Sequence, residues 1–238
     1  MCAGRMAYEL EVCVDCVEHA LSAERAGATR IEFNSSLDRD GLTPSLGATE
    51  YLCRELSIPV VAMVRPHDAG FVYSDLEKRF MLRDAEFLAG LGVQGIVIGA
   101  LTDDGRVDSR FVREAIRILA PLPVIFHRAF DRAAEPLAAL RQLIDLGIVR
   151  VLTSGQGPTA LEGIELLAML HKSADGAIEI LPGAGINSRN ARQILQETGC
   201  TQLHGSFRSS SGGVEVPVPG PNASEIRAVL QEIDQIVG

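Results

Sequence analysis

One eight-residue pattern of hydrophobic and polar positions occurs four times along the chain: GATRIEFN (27–34), GVQGIVIG (92–99), GIVRVLTS (147–154) and GCTQLHGS (199–206). Each copy opens on Gly, which takes a left-handed backbone at no steric cost just past a helix C-terminus. Each then runs into a short extended stretch whose side chains alternate between two faces. Other apolar stretches of strand length and amphipathic stretches of helical period fill the intervals. The pattern predicts strands near 8–13, 29–34, 58–65, 94–99, 122–127, 149–154, 178–182 and 201–205. It predicts helices near 16–26, 44–56, 75–91, 109–119, 134–146, 158–172, 188–198 and 222–236. Several starts carry their own signals. Asp15/Glu18, Ser74/Glu77 and Thr159/Glu162 have capping-box spacing, and Pro44 and Pro158 suit a first helical turn.

Eight strands alternating with eight helices predict a single (β/α)8 TIM barrel over 1–238, with an irregular Gly/Ser/Pro-rich segment at 208–220 before the last helix. A doubly wound open sheet also alternates strand and helix, but it buries both strand faces and reads as continuous Val/Ile/Leu. Here charges recur at alternate mid-strand positions. In a barrel sheathed by helices they point to the axis. Taking the fourth, sixth and eighth positions of each repeat as inward gives three layers from bottom to top. They are Arg30, Gly95, Arg150, Gln202; then Glu32, Val97, Leu152, His204; then Asn34, Gly99, Ser154, Ser206. Buried arginines need counter-charges, and Glu9 and Glu11 on the first strand are the natural ones. The top layer is small and polar, leaving an open cup at the C-terminal face, where barrel enzymes place their sites.

Composition narrows the field. The chain has 238 residues, 47% hydrophobic and 22% charged, enough for a large core. A net charge of −9 argues against nucleic acid and against anionic membrane surfaces as partners. No apolar run approaches the ~20 residues of a membrane span. The opening MCAGRMAYELEV lacks the apolar core of a signal peptide, so a cytoplasmic location is expected. Five scattered cysteines do not form a disulfide framework.

Several constellations carry chemistry. In HRAFD, His127, Arg128 and Asp131 arrive together at a strand end. His127 suits acid/base work with Asp131 as its orienter, and Arg128 with Arg65 can clamp an anion. The plain alternative is a salt-bridged turn. Glu11 and Glu32 lie on adjacent strands with His204 closing from the eighth, a set fit for a metal or for proton transfer, or simply for neutralising Arg30. Cys13 and Cys16 form a CxxC at a strand end, where a helix N-terminus favours thiolate and two sulfurs suit Cu(I) or Zn(II). After strands seven and eight, Gly183, Gly185, Ser206 and Arg208, with Ser154 from strand six, can hold an anion through N–H and hydroxyl groups. The loop 63–75 carries Arg65 and a Gly hinge and can close over the cup. No nucleotide cofactor is predicted.

The segments LEVCVD (10–15), RIEFNSSLDRDGLTPS (30–45), VRPHDAGFVYSD (64–75), GALTDDGRVD (99–108), FHRAFD (126–131), RVLTSG (150–155), ALEG (160–163) and LPGAGI (181–186) resemble the CutC-type copper homeostasis proteins. The resemblance spans about 10–208. It implies a TIM barrel, a cytoplasmic protein, Cu(I) binding in some members and a homo-oligomer, a dimer first. The matching motif residues are Glu11, Cys13, Glu32, Arg65, His127, Arg128, Asp131, Ser154 and His204. Asn34 stands where the family's second strand often ends in a Cys, Gly205 follows the final-strand His, and Cys16 is an additional thiol. Two functions stay open: copper handling through Cys13, Cys16 and His204, and an enzyme acting on a small phosphorylated or carboxylated metabolite at the barrel mouth.

Overall fold

The structure is a computed structural model that describes residues 8–208 and 220–237. Strands and helices alternate throughout. They run β1 (Glu9–Val14), α1 (Val17–Ala26), β2 (Arg30–Phe33), α2 (Leu46–Glu55), β3 (Val60–Met63), α3 (Asp75–Ala89), β4 (Gly95–Ile98) and α4 (Ser109–Leu119). The second half continues β5 (Val124–Phe126), α5 (Pro136–Leu146), β6 (Arg150–Thr153), α6 (Ile164–Ala174), β7 (Glu179–Pro182), α7 (Ala191–Thr198), β8 (Gln202–Gly205) and α8 (Ala223–Val237). All ladders are parallel and run β7-β6-β5-β4-β3-β2-β1-β8. β7 and β8 pack against each other at the seam without a ladder among the described residues. Gly183 permits this approach: a Cβ there would sit 2.6 Å from Leu152 and 3.3 Å from the His204 ring. The barrel is nearly closed.

Strand alternation sorts the apolar residues into two bodies. Ile31, Phe33, Ile96, Phe126, Val151 and Leu203 face out and join the helices in one continuous core. Val61, Met63, Val97 and Ile125 form a separate cluster inside the barrel. Inward charges then stack in register, with Glu11 beside Arg30 and Cys13 beside Glu32 on one side, and Glu11 beside His204 on the other. At the floor Arg30 donates from Nε to Glu11 at 2.5 Å, to Glu9, and from a terminal nitrogen to Gln202 at 2.7 Å. Arg150 departs from the expectation. It pairs with Glu179 at 2.6 Å, because β7 rather than β1 is its neighbour.

Helix starts follow the sequence signals in part. Ser74 and Glu77 form a full capping box on α3. Asp15 does not cap α1; its carboxylate instead accepts from Leu37 N–H at 3.3 Å and from Arg208 at 2.8 Å. Pro44 precedes the N-cap Ser45 of α2. The helix expected from 158 begins only at Ile164. Thr159 and Glu162 bond each other in the preceding turn, which folds so tightly on the end of β6 that a Cβ on Gly163 would overlap the Ser154 carbonyl. Most of the predicted 208–220 segment lies outside the described residues.

Candidate functional site

The C-terminal mouth holds a cavity of about 770 Å³, lined among others by Cys13, Glu32, Arg65, His127, Arg128 and His204. Its chemistry divides between two walls.

The first wall comes from β1, β2 and β8. One ligand atom each from Cys13, Glu32 and His204 lie within 4.8 Å of one another, and all three residues are buried. Register places the three close together: β2 and β8 both flank β1, with Glu32 beside Cys13 and His204 beside Glu11, the next inward position down the same strand. His204 Nδ1 bonds Glu11 at 2.7 Å, while its Nε2 stands 4.0 Å from a Glu32 oxygen. Burial opposes a charge on His204, yet the Cys13 and Glu32 neighbours and the Glu11 bond hold its pKa well above the ordinary value. For Glu11, burial is outweighed by Arg30 and His204, which hold its carboxyl below the usual range. Glu32 goes the other way, pushed up by burial and by the Glu11 charge. Asn34 Nδ2 donates to Glu32 at 2.9 Å and fixes that carboxylate.

The second wall comes from the ends of β3 and β5. Arg65 is 4% exposed, and its terminal nitrogen donates to the carbonyls of Arg39 and Gly41 at 2.9 and 3.2 Å. Its Nε has no partner. His127 is 3% exposed; its Nδ1 accepts from the Ala129 N–H at 3.0 Å, so the remaining proton sits on Nε2. Nε2 also has no partner. Burial, then the Arg65 charge, push the His127 pKa down to about 3, so the ring is neutral. Phe71 lies between the two, 5.0 Å under the Arg65 guanidinium and 5.2 Å from the His127 ring. Gly99 clears the space His127 fills, since a Cβ there would lie 2.4 Å from the imidazole.

Other expected site residues take structural duties. Asp131 does not orient His127. It accepts from Arg128 Nε at 2.8 Å, Thr153 Oγ at 2.5 Å and the Ser154 N–H at 3.0 Å, tying the turn after β5 to β6. Ser154 spends its hydroxyl on Asp131 and the Gly157 carbonyl. The Gly183 N–H goes to the Thr153 carbonyl, and Arg208 pairs with Asp15. Gly185 and Ser206 line the cavity. Cys16 lies outside the Cys13–Glu32–His204 group, and burial raises its thiol pKa despite the helix start. The loop 63–75 forms a cavity wall, with His67 held to Glu77 at 2.9 Å. Sequence reasoning missed Phe71, which lies in a loop with no periodic signal. It counted Gly99 only as a small top-layer residue, although the Gly99/His127 pairing was available from the adjacent strands.

A sequence model described as "CutC family" matches residues 8–209. The chain belongs to the CutC family. A human relative named copper homeostasis protein cutC homolog is 46% identical over 85% of this chain and 74% of its own length. A CutC family protein of Treponema denticola is 48% identical over 82% and 80%. The crystal structure of a CutC from Streptococcus agalactiae superposes with a TM-score of 0.79 at 31% identity, covering 83% of this chain and 98% of that one. No helix among the described residues is long and apolar enough to cross a membrane.

Proposed function

We propose that this protein handles Cu(I) in the cytoplasm, taking the ion as cargo on Cys13 and His204 with Glu32 as a third donor. The convergence of those three donors from neighbouring strands carries the reading. A soft sulfur with imidazole suits Cu(I) better than harder ions. Glu11 supports His204 from behind and is itself gripped by Arg30, the kind of outer partner that orients a metal-binding imidazole. The names of the human and mouse relatives point the same way. Asn34 makes this a one-sulfur site on the protein side and steadies Glu32 in return.

The test is a Cu(I) titration against a colorimetric chelator. Cys13→Ser and His204→Gln are each expected to weaken binding at least ~10-fold, as loss of a ligand or its support does. Cys16→Ser is expected to leave it unchanged. Full affinity in Cys13→Ser would overturn the reading.

We also infer a homo-oligomer. Leu76, Phe80 and Phe87 lie on one exposed stripe of α3, opposite the buried Met81, Ala85 and Leu88. Phe80→Glu should lower the mass measured by light scattering; an unchanged mass would remove this stripe from the interface.

A further inference from the structure

The copper reading uses one wall of the cavity and leaves the other without a task. That second wall has an electrostatic peculiarity. Buried cations persist when a carboxylate neutralises them. Arg30 has Glu9 and Glu11, and Arg150 has Glu179. Arg65 is as buried as Arg30, yet among the described residues no carboxylate pairs with it. Its partners are two backbone carbonyls and the face of Phe71, with the buried Tyr73 hydroxyl close by. Its Nε–H and the His127 Nε2–H are two buried donors on one cavity, and neither has an acceptor. Leaving such a donor unmet costs about 1–3 kcal/mol each. The fold nevertheless arranges for them. Gly99 makes room for the imidazole, the Ala129 N–H fixes the tautomer that presents a donor, and the 34–44 loop turns two carbonyls onto the guanidinium.

We propose that the Arg65–His127 wall is a binding site for the oxyanion of a small metabolite, a carboxylate or a phosphate, held beside the Cys13–Glu32–His204 cluster in the same cavity. A carboxylate or phosphate oxygen supplies the missing counter-charge for Arg65 and accepts from both orphan donors. The neutral His127 contributes as a donor and adds no second positive charge. Other charges around the cavity leave this place vacant for an anion. Asp131 is neutralised by Arg128 and Arg208 by Asp15, Glu32 faces His204 across the first wall, and Asp40, Asp68 and Asp103 are exposed at the outer edge and screened by solvent. At about 770 Å³ the cavity is of ordinary size for a small-molecule site, so the anionic group is the recognised end of a larger molecule.

The probes are inorganic phosphate and malonate, each at fixed ionic strength against chloride, read by thermal shift and calorimetry on the metal-free full chain. At least one of them is expected to give a saturable stabilisation, and which one does so separates a phosphorylated from a carboxylated ligand. Arg65→Met and His127→Phe are each expected to weaken that binding at least tenfold. Arg117→Gln on the exposed face of α4 is expected to leave it unchanged. Cys13→Ser is also expected to keep it, which separates this site from copper binding. No saturable response to either anion overturns the proposal. So does a response that survives Arg65→Met or, should that variant fail to fold, His127→Phe.

Discussion

Two arginines of equal burial divide this barrel. Arg30 at the floor is 5% exposed and Arg65 at the mouth 4%. Arg30 is saturated, with two carboxylates and an amide oxygen around its guanidinium. Arg65 has no carboxylate and keeps one N–H unmet. Burial therefore does not separate the two; the completeness of neutralisation does. A closed polar network holds strands in register, whereas an open one keeps its charge available for something that arrives later.

The largest expected effect would break the comparison outright if it failed. Arg30→Met strands Glu9 and the fully buried Glu11, and breaking such a network costs about 3–5 kcal/mol. Arg65→Met removes a cation that no carboxylate neutralises, so it is expected to cost about 1 kcal/mol or less, the lost carbonyl bonds being balanced by relief of the unpaired charge. Urea unfolding of the two variants checks the ranking. Equal losses would mean that Arg65 has a hidden structural partner.

Gly99→Ala sharpens the comparison at the mouth. The added methyl lies 2.4 Å from the His127 ring, which must shift. Overpacking of this kind costs about 1–3 kcal/mol. The anion response should fall with it, while Cu(I) affinity stays within about twofold; loss of both would show that the two walls are not separable.

Acid gives a graded effect, spread over several pH units. An unfolded His has a pKa near 6.5, and folded His127 about 3. Between these values the unfolded chain binds the proton and the folded chain does not. Stability therefore falls as pH drops from about 6.5 toward 3, by up to ~1.4 kcal/mol per pH unit, and this contribution is absent above that window. His127→Phe should flatten the wild-type curve there; parallel curves would mean that the ring is already charged.

The fold was legible because the repeats encode it. The charged alternation of RIEFN and RVLTS could only face an axis, and that placed Arg30, Glu32, Leu152 and His204 inside. Arg30 with Glu9 and Glu11 followed from strand order alone. Arg150 with Glu179 was available on the same grounds, since a barrel sets strand six beside strand seven, but both arginines were assigned to the glutamates of the first strand. The start of α6 was misplaced because a tight turn took up the Thr159/Glu162 signal. At the site, Glu32 and His204 were readable as inward residues and Cys13 as a copper ligand with Cys16 or His204, but the grouping of Cys13 with Glu32 was not read. The Arg128–Asp131 pair was readable as a salt-bridged turn, but the ties of Asp131 to Ser154 and of Arg208 to Asp15 were not, because each crosses a loop whose path no local pattern specifies. The same holds for Phe71 between Arg65 and His127.

The functional reading turns on copper meeting a single protein sulfur. Copper K-edge X-ray absorption of the Cu(I)-loaded protein, prepared without added thiol, tests this directly. One sulfur and one imidazole nitrogen, with the sulfur lost in Cys13→Ser, is the expected result. Two sulfurs, or a spectrum unchanged by that substitution, would contradict it.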